Sequence, residues 1–143
     1  MYIYSYITGS QDVVADIDLL EKHKVTHILN LGTYVKNYFP SKIKYHNVKI
    51  NDFCDQEVLK YFDLAFKFID EGLAQGCVVI HCNAGVSRAS TFMIGYLMNR
   101  ERMPLDNAFN FVKSKRPVIK PNTGFLQQLR TYNKELGLKE CRM

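Results

Sequence analysis

The sequence lacks several features that would assign a protein to a class at once. It has four cysteines but no Cys-x-x-Cys pair, which argues against a thiolate zinc site. No apolar run approaches the ~18 residues that a membrane-spanning helix needs. Residues 1–10 have neither the basic start nor the apolar core of a secretory signal. Repeats and linkers are also missing, so we expect one domain over residues 1–143 with no metal, no cofactor and no membrane partner.

The cysteines that are present indicate a reducing compartment. Cys77 and Cys82 belong to one apolar run, so in a strand they would lie roughly 16 Å apart at ~3.3 Å per residue. A disulfide requires Cα atoms within about 7 Å, so these two cannot pair. Unpaired cysteines predict a cytoplasmic or nuclear protein. The net charge of +5 favours acidic or phosphorylated partners, although a solvated lysine surface explains the same number.

Hydrophobic periodicity predicts an α/β fold. Apolar or alternating runs bounded by polar residues and glycine predict strands at residues 2–7, 26–32, 43–50 and 77–82. Apolar residues at helical spacing predict helices at residues 12–23, 59–73, 89–100, 105–115 and 125–136. The run at 77–82 is rich in β-branched residues, which is typical of a strand buried on both faces. Because strands alternate with helices, we expect a central, mostly parallel sheet flanked by helices.

The stretch "HCNAGVSRAS", residues 81–90, places a loop between a strand and a helix. Ligands of parallel sheets bind at this carboxyl edge. Five residues separate Cys82 from Arg88, namely Asn83, Ala84, Gly85, Val86 and Ser87. Their backbone N–H groups can curl inward to form an anion-binding concavity, and the following helix adds its positive end. Arg88 can donate two hydrogen bonds to a phosphate, and the absence of Gly-Lys-Ser/Thr disfavours a nucleotide-binding loop.

The same groups would stabilise a thiolate at Cys82. We therefore interpret Cys82 as a nucleophile that attacks phosphorus, so that the reaction proceeds in two steps through a cysteinyl-phosphate. His81 would shape the thiolate environment, Ser87 would hydrogen-bond the sulfur, and Asn83 would shape the cradle. A cysteine at a strand end is by itself usually a core residue. Its combination with Arg88 across a glycine-containing loop favours the functional interpretation.

"HCNAGVSRAS" resembles the HCxxGxxR signature of the protein tyrosine phosphatase superfamily, and it is most similar to the loops of dual-specificity phosphatases. The stretches "YITGS", "THILNLG", "FKFIDEG" and "RPVIKPNTGFLQQL" also resemble that family's framework, so the resemblance covers about residues 2–136. Small atypical members linked to stress-activated mitogen-activated protein kinase pathways are the most similar group. The resemblance implies a dual-specificity phosphatase-like fold, phosphorylated protein substrates, and these kinases or their activators as candidate partners.

The resemblance also implies a general acid on an upstream loop, where an aspartate protonates the leaving oxygen. "NDFCDQ" offers Asp52 and Asp55, and Asp52 falls on the family's position, while Asp55 remains the alternative. A protonated Asp52 beside an ionised Cys82 predicts a bell-shaped pH profile with an acidic optimum. Asn122, in "KPNTG", is implied to brace the phosphate loop. Asn122 would equally serve as a helix N-cap, and one residue can do both.

One position departs from the family pattern. Serine or threonine usually follows the loop arginine, where its hydroxyl aids departure of the thiolate from the phospho-enzyme. This chain has Ala89 there, and Ser90 comes one position late. We therefore expect a slow second step and accumulation of the cysteinyl-phosphate.

Several alternatives stay open at this stage. A short chain with a shallow pocket would accept phosphoserine and phosphothreonine as well as phosphotyrosine, and a loop without lysine favours phosphoproteins over inositol lipids. One other candidate function is an RNA 5′-phosphatase, which shares the family's fold and which the positive charge keeps open at low weight, although nucleic acid is not an expected partner. The other is a phosphate-binding adaptor without turnover, against which the presence of Cys82, Arg88 and Asp52 argues. His23 and His27 straddle a helix end and a strand, so we expect no metal there. Cys54 is either a redox partner of Cys82 or a bystander.

Overall fold

The computed structural model describes residues 13–84 and 86–139, which contain a three-stranded parallel sheet. The strands are β1 (Val25–Asn30), β2 (Lys44–Asn47) and β3 (Cys77–His81), in the order β2-β1-β3. The strands predicted at 26–32, 43–50 and 77–82 are confirmed, and the strand predicted at 2–7 lies outside the described residues. Because all three strands run in the same direction, the segments that follow them meet at one edge of the sheet.

Within the described residues, five helices flank this sheet. They are α1 (Ile17–Lys22), α2 (Phe62–Gln75), α3 (Arg88–Arg100), α4 (Leu105–Lys115) and α5 (Thr123–Glu135). The first helix is shorter than the predicted 12–23. Its N-cap is Asp16, whose side chain accepts the Leu19 N–H at 3.1 Å, and a separate 3-10 turn precedes it. No helix in the described ranges combines the length and apolar character needed to cross a membrane.

Apolar side chains pack on both faces of the sheet. Leu29, Val78 and Ile80 contribute to the larger cluster, which also contains side chains of α2, α3, α4 and α5. Ile28 and Val79 contribute to a smaller cluster on the opposite face, together with Leu20 of α1. The prediction that the run at 77–82 is buried on both faces is therefore confirmed.

Helix α3, which begins at the functional loop, is surrounded by other elements. It contacts β3, α2, α4 and α5, and every residue from Arg88 to Met98 is buried. A Cβ at Gly95 would come within 2.6 Å of the Phe62 ring, so glycine is needed for the close approach of α2. The Phe62 and Phe92 rings lie edge to face at 5.0 Å. Burial of such side chains stabilises the fold by about 1.5–3 kcal/mol each, which fixes the position of the loop ahead of α3.

Candidate active site

Arg88 is held at the carboxyl edge of the sheet by the segments that follow all three strands. Its Nη1 donates to the Leu31 carbonyl at 3.3 Å, the Thr33 hydroxyl at 2.7 Å and the Ile50 carbonyl at 3.2 Å. Its Nη2 donates to Asn83 Oδ1 at 2.9 Å. Leu31 and Thr33 follow β1, Ile50 follows β2, and Asn83 follows β3. The parallel topology therefore determines where the guanidinium lies.

The charge of Arg88 is buried without a protein counter-ion. Its exposed fraction is 8%, and none of the ion pairs among residues 13–84 and 86–139 includes it. Its buried Nε–H also has no hydrogen-bond partner among these residues. A buried cation is costly unless an anion or several hydrogen bonds compensate it. Hydrogen bonds compensate part of this cost, and the missing counter-ion and the unpartnered Nε–H make the guanidinium a candidate for binding an anion.

Asn83 and Thr33 join the functional loop to the loop that follows β1. Asn83 Oδ1 accepts from the Thr33 N–H at 2.6 Å as well as from Arg88, and Asn83 Nδ2 donates to the Thr33 carbonyl at 3.0 Å. Asn83 was predicted to shape the cradle, whereas sequence reasoning missed Thr33. The available signal was its place directly after an apolar strand, at the edge where ligands bind.

His81 lies beside Cys82 at the end of β3, and both are buried. Burial, and to a lesser degree the charge of Arg88, lowers the pKa of His81, so its imidazole is neutral at neutral pH. Its Nδ1 lies 3.1 Å from the Cys82 carbonyl oxygen. Since that oxygen can only accept, Nδ1 carries the proton in this contact. His81 therefore orients the backbone of Cys82 through its ring.

The second half of the loop is fixed by hydrogen bonds to its backbone. The Ser90 hydroxyl donates to the Val86 carbonyl at 2.7 Å and to the Ser87 carbonyl at 3.0 Å. The Lys120 N–H donates to the Val86 carbonyl at 2.8 Å, so the segment before α5 also holds the loop. Because the Ser90 hydroxyl is used in this way, it does not replace a hydroxyl at Ala89, which is fully buried.

Asn122 connects the phosphate loop with the loop that carries Asp52. Its backbone N–H donates to Ser87 Oγ at 3.0 Å, and its side-chain Nδ2 donates to Asp52 Oδ1 at 2.9 Å. Its Oδ1 accepts the Phe125 N–H at 2.8 Å and so caps α5. The same residue therefore caps a helix, contacts the phosphate loop and positions a carboxylate.

The remaining candidates lie around this core of the site. Asp55 is exposed and lines a separate surface depression with Gln56 and Lys60. Cys54 is exposed, and its Sγ lies 3.3 Å from Thr123 Oγ1, a hydrogen bond that lowers the pKa of this thiol. A Cβ at Gly124 would come within 1.9 Å of the Cys54 carbonyl oxygen, so glycine is needed where this loop meets α5.

The other predicted positions are also accounted for. The Ala84 carbonyl accepts from Arg116 at 3.2 Å, while Gly85 is not among the described residues. His27 lies in β1 with its Nε2 3.6 Å from Glu71 Oε2. Among the residues that the structure describes, no group of three or more His, Cys, Asp or Glu side chains could hold a metal ion.

A buried cysteine, a loop turning into a helix and a buried arginine without a counter-ion in the described residues follow one another at the carboxyl edge of the sheet. Comparison with known families assigns the chain to one of them. The model of the "Dual specificity phosphatase, catalytic domain" family matches residues 2–135, and the chain belongs to this family. The resemblance seen in the sequence and the α/β fold are thereby confirmed.

Similar proteins place the chain within that family. Dual specificity protein phosphatase 19 of Mus musculus is 48% identical over 127 residues, which are 88% of this chain and 58% of that protein. The chain thus spans little more than half the length of this relative. The crystal structure of human DUSP28 is 26% identical with a TM-score of 0.86, covering 93% of this chain and 94% of that one. The human tyrosine phosphatase-like serine/threonine/tyrosine-interacting protein is 33% identical with a TM-score of 0.78, covering 83% of each chain.

Proposed function

We propose that this chain hydrolyses phosphate monoesters, with Cys82 as nucleophile, Arg88 as phosphate ligand and Asp52 as proton donor. The observation that carries the proposal is the buried guanidinium of Arg88, which has no carboxylate partner in the described residues and keeps one N–H unpartnered. A phosphate dianion supplies both the missing charge and the missing acceptor. Cys82, at the start of the same loop, supplies the sulfur that attacks phosphorus.

The reaction balances in two steps. The Cys82 thiolate attacks phosphorus, the bond from phosphorus to the substrate oxygen breaks, and Asp52 gives its proton to that leaving oxygen. Water then attacks the cysteinyl-phosphate, the sulfur–phosphorus bond breaks, and Asp52 takes the proton of the water. Arg88 and the N–H groups of the loop stabilise the charge on the transferred phosphoryl group in both steps.

Two contacts support Asp52 over Asp55 as the proton donor. Asn122 holds the Asp52 carboxylate, and the backbone of the same residue is bonded to Ser87 in the phosphate loop. Asp55 forms no hydrogen bond with the described residues of the phosphate loop, and it lines a different depression. Because general acid catalysis requires the donor within hydrogen-bond reach of the leaving oxygen, the residue tied to the loop is the better candidate.

Turnover of 4-nitrophenyl phosphate tests this proposal directly. We expect measurable hydrolysis by the unaltered chain and none by Cys82→Ser, because serine lacks an ionised nucleophile. The matched controls are Cys54→Ser and Cys77→Ser, which should keep most of the activity. Retained hydrolysis in Cys82→Ser would exclude a cysteinyl-phosphate mechanism.

Phosphorylated proteins are the proposed substrates, modified on tyrosine and on serine or threonine. The family description and the names of the relatives support this breadth. The stress-activated kinases or their activators are the candidate partners. The cytoplasm or nucleus is the proposed location, because Cys54, Cys77 and Cys82 form no disulfide bond among the described residues. Phosphate release from singly and doubly phosphorylated activation-loop peptides tests the assignment, and release restricted to phosphotyrosine would narrow it.

A non-catalytic adaptor is the second candidate. It is favoured by the likeness to the human protein named as phosphatase-like and interacting, and by alanine at position 89. An adaptor would bind a phosphopeptide without releasing phosphate. Isothermal titration combined with a phosphate-release assay on the same sample separates the two functions.

Ala89 leads to a kinetic hypothesis within the catalytic proposal. Since neither Ala89 nor the engaged Ser90 offers a free hydroxyl, breakdown of the cysteinyl-phosphate should limit turnover. Rapid mixing with 4-nitrophenyl phosphate should then show a burst of nitrophenol, and Ala89→Ser should raise the steady-state rate. Absence of a burst together with unchanged turnover in Ala89→Ser contradicts the hypothesis.

A further inference from the structure

A cavity of about 480 Å³ lies next to the candidate active site. It is formed between the loop that follows β1 and the segment that follows β2, and its lining includes Thr33, Tyr34, Val35, Asn47, Lys49 and Ile50. None of the described residues of the phosphate loop lines it. The cavity is therefore a space separate from the phosphate cradle.

The cavity and the phosphate cradle share a wall. Thr33 and Ile50 line the cavity, and both accept hydrogen bonds from Arg88 Nη1, at 2.7 Å and 3.2 Å. Neighbouring residues of an extended peptide are about 3.8 Å apart. A peptide whose phosphorylated side chain lies on Arg88 would therefore bring the side chain one or two residues away to the cavity.

Tyr34 has a conformation that the folded chain itself does not explain. Its φ is +58°, in the left-handed region, which is unfavourable for a bulky side chain and costs about 1–3 kcal/mol. Its side chain is fully exposed (102%) and forms no hydrogen bond or ring contact with another described residue. Asn30 holds the surrounding loop, since its side chain bonds to Gly32 and Val35 at 2.9 and 2.8 Å. The loop thus presents an aromatic ring at the cavity in a fixed backbone conformation.

The cavity lining favours an anion. Lys49 is the only charged side chain among the lining residues described, and the polar remainder consists mainly of carboxamides and hydroxyls. Lys49 is exposed and takes part in none of the ion pairs found in the described residues. With a cation and hydrogen-bond donors but no carboxylate, the lining matches a carboxylate or a phosphate.

We propose that this cavity is a specificity subsite that binds an acidic side chain, either a carboxylate or a second phosphate, one or two residues from the phosphorylated residue. Lys49 pairs with the acidic group, and the Tyr34 ring packs against the peptide. The proposal rests on the proposed function, because that function places the phosphorylated residue on Arg88. The subsite makes binding depend on the residues that flank the phosphorylated residue of the substrate, which the phosphate cradle alone does not do.

The test compares phosphotyrosine peptides that differ only at the positions one and two residues from the phosphorylated residue, which carry alanine, glutamate, lysine or phosphoserine. We expect a higher kcat/KM for the glutamate and phosphoserine peptides than for the alanine peptide, with lysine lowest. Comparison of the two acidic peptides distinguishes a carboxylate from a second phosphate. Equal kcat/KM for all four peptides would overturn the proposal.

Variants assign this preference to the cavity. Lys49→Ala should lower kcat/KM for the acidic peptides by about threefold to fivefold, the size of an exposed ion pair, and leave the alanine peptide unchanged. Lys49→Arg should restore the preference for acidic peptides. Lys67→Ala removes the same charge from the exposed face of α2 and should have no effect. Tyr34→Ala should weaken all peptides equally through KM. A loss in Lys49→Ala that is the same for every peptide contradicts the subsite.

Two further measurements separate this proposal from the proposed function. The substrate 4-nitrophenyl phosphate has no flanking residue, so its hydrolysis should be unchanged in Lys49→Ala. If the unaltered chain did not hydrolyse it, this would count against the proposed function alone. Fluorescence anisotropy with Cys82→Ser measures peptide affinity without turnover. The same order of peptides in binding supports the subsite even if catalysis fails, and an affinity independent of the flanking residue excludes it.

Discussion

The phosphate loop and the loop carrying Asp52 are held by opposite means. Arg88 is buried, and it donates hydrogen bonds to residues that follow each of the three strands. Residues 51–55 are all exposed, and the Asp52 carboxylate accepts a hydrogen bond from the Asn122 side chain. Under the proposed function, anion binding depends on the buried sheet edge, whereas proton donation depends on an exposed loop. Asn122 contacts both, so it is the point at which the two regions can be uncoupled.

The largest effect is expected from the buried region. Arg88→Lys keeps a positive charge but loses the planar set of donors, so kcat/KM for 4-nitrophenyl phosphate should fall about 10²- to 10³-fold. Inorganic phosphate or tungstate should no longer raise the melting temperature. The matched control is Arg130→Lys on α5, which should change kcat/KM less than about twofold. Retained stabilisation by tungstate in Arg88→Lys would remove Arg88 from the phosphate site.

The exposed region should show a smaller effect that depends on the substrate. Asp52→Asn removes a transferable proton, so the rate for phenyl phosphate, a poor leaving group, should fall about 10²-fold. The rate for 4-nitrophenyl phosphate should fall much less, since its leaving oxygen needs little protonation. Asp55→Asn is the control and should affect neither substrate. Equal losses on both substrates in Asp52→Asn would mean that another residue donates the proton.

Asn122 tests the connection between the regions. Asn122→Ser keeps an N-cap for α5 but cannot reach Asp52, so the melting temperature should be nearly unchanged. The rate for phenyl phosphate should fall by about threefold to tenfold, the effect of one lost hydrogen bond of about 1 kcal/mol. Asn122→Ala should show the same kinetic loss and also destabilise the fold by about 1 kcal/mol through the lost cap. Unaltered kinetics in both variants contradict a positioning role.

The smallest effect concerns the pH dependence of stability in the sheet region. Burial lowers the pKa of His27 and of His81 below the ordinary 6.5. Below pH 6.5 the folded chain therefore binds fewer protons than the unfolded chain. The stability that the neutral histidines contribute is fully present above pH 6.5 and is lost as the pH falls through their lowered pKa values. The pKa of His46 is lowered in the same way, and the lowered pKa values of Asp70 and Glu71 act only at more acidic pH.

Urea unfolding checks this dependence. The midpoint should be constant above neutral pH and fall as the pH is lowered below 6.5, and His27→Gln should reduce that fall. His23→Gln, at the C-terminal end of α1, is the control. A midpoint that rises on acidification over this range would contradict the sign of both shifts.

The sequence was sufficient for the elements with strong hydrophobic patterns. The helix at 105–115 and the strand at 77–82 were predicted within one residue, because the first is amphipathic and the second is apolar throughout. The predicted helix at 12–23 was too long, since Asp16 works as an N-cap inside the periodic stretch. Periodicity records which side chains can be buried, and it does not show where a cap interrupts the backbone hydrogen bonds.

The candidate residues followed a similar division. Cys82 and Arg88 could be proposed from their spacing along the chain. Asn122 could be proposed because the stretch "KPNTG" resembles the family's sequence. The position of Thr33 after an apolar strand was a usable signal, but its contact with Asn83 was not, because these residues are 50 positions apart. The cavity beside Tyr34 could not be predicted either, because it forms between segments that follow two different strands. The roles of the site residues remain predictions until the variants above are measured.

The sequence by itself determined which segments form strands and which form helices. It also determined that a cysteine and an arginine lie at the two ends of one short loop. Only the tertiary structure decided that Arg88 would be buried without a counter-ion and that a cavity would open beside it. The physical reason is that the spacing of Cys82 and Arg88 is a property of neighbouring residues. The burial of a charge depends instead on strands that are distant in the chain and whose ends surround it.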